Sequence, residues 1–173
     1  MLRRSADYGR FIFFFILVFL LFLMQSVSGL LPRVFGVLPL PVIPAVVCIA
    51  LFERSSGGEM LGLAGGLFMD IVSMQITGFN ALFLMLAGCI CSLLAVRLIR
   101  NNLLSALTVS AGAVCAYYLL HFLFFYLFKG RSEPFYYFFR YVIPGAAYTT
   151  LFSVPLYIIV RLFMKKVKKG TLF

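Results

Sequence analysis

One carboxylate, one histidine and four cysteines lie inside the apolar runs of this 173-residue chain. Asp70 sits late in Gly58–Asn80, GEMLGLAGGLFMDIVSMQITGFN, and is the only acidic residue within such a run. A carboxylate in apolar surroundings needs a partner. The residues that follow offer one. Thr77, Gly78, Phe79 and Asn80 fold back beside it, with Thr77 expected as the N-cap of the next helix, and the free amides of a helix start receive a carboxylate well. Two uses stay open: a polar lock that braces the two helices, or a contact to another protein or a substrate. With no second acidic residue in a span there is no proton relay to build, which argues against ion-coupled transport.

His121 is the sole histidine, one helical turn after Tyr117 and Tyr118. That spacing puts Tyr117 and His121 on one face, where a hydrogen bond would satisfy both polar tips. A packed, neutral histidine is expected. Cys48, Cys89, Cys91 and Cys115 make neither a CxxC nor a Cys/His metal spacing and read as small buried apolar residues. No nucleophile comes with a base and an orienting acid, and no Walker or Rossmann glycine loop occurs. The expectation is a non-enzymatic protein with no catalytic residues, no metal and no cofactor.

The same stretch carries a second pattern. Read as a helix from Gly58, it places Gly58, Gly62, Gly66 and Asp70 at steps of four, along one face, with Gly65 beside them. In an apolar chain such a ridge lets another helix come close. The ridge serves either as an internal groove for another span or as a docking face for a partner's helix.

These residues must be positioned by membrane helices. The chain is 64% hydrophobic and 12% charged, with a mean hydropathy of +1.09, whereas soluble domains are about 25% charged. An all-α, polytopic membrane protein is expected, a single integral domain over 1–173. Six spans fit the length, at about 11–29, 37–52, 59–74, 79–98, 103–128 and 140–163. The first has a basic start that imitates a signal peptide but reads as an uncleaved span, its phenylalanines ringing the helix as for a lipid-facing surface. Pro39, Pro41 and Pro44 make the second span short or bent, with regular helix starting near Pro41 or Pro44. The third is also short and joins the fourth through a tight hairpin. The segment PFYYFFRYVIP, Pro134–Pro144, has an interfacial composition, and Pro144 and Pro155 are expected kinks in the last span.

The formal charge of +10 marks topology rather than a nucleic-acid partner. With six spans, 11 of the 15 Lys and Arg fall on one side, namely Arg3, Arg4, Arg10, Arg54, Arg97, Arg100, Arg161, Lys165, Lys166, Lys168 and Lys169. The positive-inside rule then places both termini in the cytoplasm. A five-span alternative puts one basic terminus outside. Lys165, Lys166, Lys168 and Lys169 read as a membrane-surface anchor for anionic lipid, or as a contact for an acidic cytoplasmic protein.

From Pro39 to Leu94 the chain resembles the rod shape-determining membrane protein MreD family. A proline-led second span and a polar turn precede GLAGGLFMD and GFNALFLMLAGCICSLL. Members carry Gly-Leu-x-x-Asp, then within about ten residues Gly-x-Asn/Ala-Ala-Leu; here Gly66, Leu67 and Asp70, then Gly78, Asn80, Ala81 and Leu82, occupy those positions. Ser73 and Met74 stand where many members have a glycine. The resemblance implies a scaffold subunit of the bacterial inner membrane that acts in cell elongation and sidewall peptidoglycan synthesis. Its partners would be MreC, the MreB filament, RodA and a class B penicillin-binding protein, with a homodimer also open. It further implies a fold similar to the substrate-binding subunits of energy-coupling-factor vitamin transporters. That similarity supplies the alternative function, a vitamin-binding subunit. Those subunits share an Ala-x-x-x-Ala ridge in the first span, and this phenylalanine-rich span has none. Under the scaffold reading, the glycine ridge is one candidate face for the membrane helix of MreC.

Overall fold

A computed structural model describes residues 2–27, 32, 36–53, 57–73, 78–97, 102–124, 136 and 138–170. Its elements are helical: α1 (Leu2–Ser26), α2 (Val42–Glu53), α3 (Gly57–Ser73), α4 (Phe79–Arg97) and α5 (Leu103–Phe122) come first. A π-helical turn at Phe138–Val142 then leads into α6 (Ile143–Leu151) and α7 (Ser153–Gly170). Among the described residues, four stretches are long and apolar enough to cross a membrane: Gly9–Ser26, Phe79–Val96, Leu103–Phe122 and Phe138–Val167. The chain is a multi-pass membrane protein.

The bundle is built around α2. All ten residues from Val42 to Leu51 are buried, and α1, α3, α4, α5 and α7 all pack on this helix. A helix that is apolar all round is stable only where every side is covered. Pro44 falls in its first turn, where amides have no intrahelical partner and a missing N–H costs nothing. The twelve residues of α2 rise only about 18 Å, against a hydrocarbon core of about 30 Å. Length alone therefore marks four crossings rather than the six expected, with α2 and the 17-residue α3 as shorter members of the bundle.

α1 departs from the expected lipid-facing cylinder. It starts at Leu2 rather than near Phe11, and Phe14, Val18 and Phe22 are buried at spacing four on its inner face. Phe22 stacks on Phe68 of α3, while Phe13 stacks on Phe163 of α7 with ring centroids 3.6 Å apart. Only the opposite face, with Ile12, Ile16 and Leu20, is exposed. Arg10 of α1 lies 3.9 Å from Glu53 at the far end of α2. With Phe13 beside Phe163, these contacts put the start of α1, the end of α2 and the basic end of α7 at the same end of the bundle.

The last rod runs from Phe138 through Val167, longer at both ends than the expected 140–163. Pro144 lies in the first turn of α6. The break between α6 and α7 comes at Phe152, whose N–H turns to Thr149 O at 3.2 Å. Pro155 accounts for it, having no N–H to give to Leu151 and a ring that crowds that carbonyl.

Candidate functional site

The glycine ridge of α3 is filled by α4, with Ala50 of α2 also against Gly58. A Cβ added at Gly58 would lie 2.7 Å from Ala50 Cβ and 2.8 Å from Ser92 Oγ; one at Gly62 would collide with the carbonyl of Leu84; one at Gly66 would collide with Asn80 O and Ala81 Cα. From the other side, Gly88 of α4 meets the carbonyl of Gly58. The pairs Gly58 with Gly88, Gly62 with Leu84 and Gly66 with Ala81 climb in antiparallel order, backbone against backbone. Gly65 turns to the other neighbours, with Val18 Cγ1 of α1 at 3.0 Å and Val42 Cγ1 of α2 at 3.1 Å from its added Cβ. Of the two uses open to the ridge, this one is internal, and no face remains there for a partner's helix.

Asp70 is the last rung of the same ladder. It is 5% exposed, and its carboxylate receives the N–H of Gly78 on Oδ2 at 3.1 Å, of Asn80 on Oδ1 at 3.1 Å and of Ala81 on Oδ2 at 3.0 Å. An aspartate of α3 thus caps the start of α4, where amides have no intrahelical acceptor. Gly78 is held at φ +95°, a left-handed conformation that glycine adopts without a Cβ penalty. Thr77, the expected cap residue, lies outside the described residues. The sequence did not mark the Ala81 amide as a donor.

The lock extends to a third helix. Tyr117 of α5 donates its hydroxyl to Asn80 Oδ1 at 2.8 Å, so it reaches across to α4 rather than along its own helix to His121. The His121 ring lies 5.9 Å from that of Tyr117 and 6.5 Å from that of Phe79, in an aromatic cluster. Of the cysteines, Cys48 and Cys91 are buried, Cys89 is half-buried and Cys115 is exposed, which corrects the expectation that all four are enclosed. Among the described residues no three His, Cys, Asp or Glu side chains converge as a metal site would require.

A second feature lies on the far side of α5. α5 and the α6–α7 rod part to leave an open-sided groove of about 500 Å³, bordered by Leu107, Cys115, Leu119, Ala147, Leu151 and Val154 among others. Its few polar groups are already engaged. Tyr118 OH lies 3.3 Å from Thr149 Oγ1, which also accepts the N–H of Leu40 at 3.3 Å, and Thr150 donates its hydroxyl to Ala146 O at 2.8 Å. Sequence periodicity held no signal for this groove, because a groove is a property of two helices and the gap between them. Of the basic tail, Lys165 and Lys166 are exposed on α7; the side chains of Lys168 and Lys169 lie outside the described residues.

The chain matches no family model, no curated protein and no solved structure.

Proposed function

We propose that the chain is a six-pass, non-enzymatic scaffold of the bacterial cell-elongation machinery, of the MreD kind, which binds MreC in the cytoplasmic membrane and keeps both termini in the cytoplasm. The observation that carries this reading is the coincidence of two sets of residues. Gly66, Asp70, Gly78, Asn80 and Ala81, which bear the resemblance, are also the residues that close the α3–α4 seam. A motif spent on internal bracing suits a rigid platform.

Two further features support it. The start of α1 and the basic end of α7 share one end of the bundle, as an even number of passes requires, with α2 and α3 completing six. The phenylalanine face of α1 is used against α3 and α7, which favours the scaffold over a vitamin-transporter subunit that docks through its first span. MreB, RodA and a class B penicillin-binding protein would join through the same assembly. With the glycine ridge occupied, MreC has to meet the outer surface of the bundle. The test is to co-express the tagged chain with the MreC of the same genome and purify from mild detergent. Stoichiometric MreC is expected, and an absence of MreC from a folded, monodisperse preparation would overturn the reading.

A further inference from the structure

We draw no further inference here: the strongest candidate, the open-sided apolar groove between α5 and α6, ends short of the basic residues of α7, and nothing in the structure shows what covers it.

Discussion

The α3–α4 pair and the α5–α6 pair are both antiparallel neighbours in an apolar bundle, yet one is sealed and the other stands open. At the first, Gly58, Gly62 and Gly66 remove the side chains from one surface, so the two backbones touch and Asp70 closes the end with three N–H bonds. At the second, larger residues such as Leu107, Leu119 and Leu151 border a gap. Helices in lipid associate through packing and hydrogen bonds more than through exclusion of water. Apolarity alone therefore does not close an interface; the matching of small residues to a facing backbone does.

The comparison breaks most readily at Gly62. Gly62→Leu drives a branched side chain into the Leu84 carbonyl, and the folded, monodisperse yield in detergent should fall at least tenfold. Even Gly62→Ala should cost about 1–3 kcal/mol as overpacking. Unchanged thermal unfolding of the alanine variant would mean that the seam is looser than described. Asp70→Ala comes next, because it strips the acceptor from three amides at the start of α4. A loss of about 3 kcal/mol is expected, with faster hydrogen exchange at Gly78, Asn80 and Ala81, while Asp70→Asn should fall between. If exchange at those amides stays at the wild-type rate, the carboxylate is not what holds them.

Smaller effects separate the pieces of the lock. Gly78→Ala meets no neighbouring atom but must adopt φ +95°, so about 1 kcal/mol of backbone strain is expected. Tyr117→Phe removes the bond to Asn80 and should cost roughly 0.5–1 kcal/mol, the usual worth of a hydrogen bond between membrane helices. Both are read by reversible unfolding in mixed micelles. The smallest effect belongs to the open pair. Ala147→Leu adds bulk to an exposed groove wall and should shift stability by no more than about 0.5 kcal/mol. A destabilisation approaching that of Gly62→Ala would show that the groove closes in the membrane.

Local features were legible without coordinates. The breaking proline before α2, the antiparallel pairing of α3 with α4, and the Gly78 and Asn80 amides available to Asp70 all follow from residues within about ten positions of one another. Sequence spacing left the ridge open between an internal groove and a face for a partner; in the structure the ridge and the polar lock are successive rungs of one seam. Spacing showed that Gly58, Gly62, Gly66 and Asp70 share a face, but not what they face. Likewise Tyr117 and His121 share a face of α5, yet the Tyr117 hydroxyl goes to Asn80, 37 positions away. The phenylalanines of α1 are spread round the helix in sequence, and only the positions of α3 and α7 make Phe14 and Phe22 interior and Phe15 and Phe19 outer.

By itself the sequence determined that this is an all-helical membrane protein with its polar groups few and its glycines concentrated in one helix. Those are consequences of composition and periodicity, which act along a chain. The tertiary structure decided that α2 is wrapped by five helices, that the glycine ridge is spent on α4, and that α5 and α6 leave a groove. These depend on which surfaces meet and in what register, and a single helix carries no record of its neighbour.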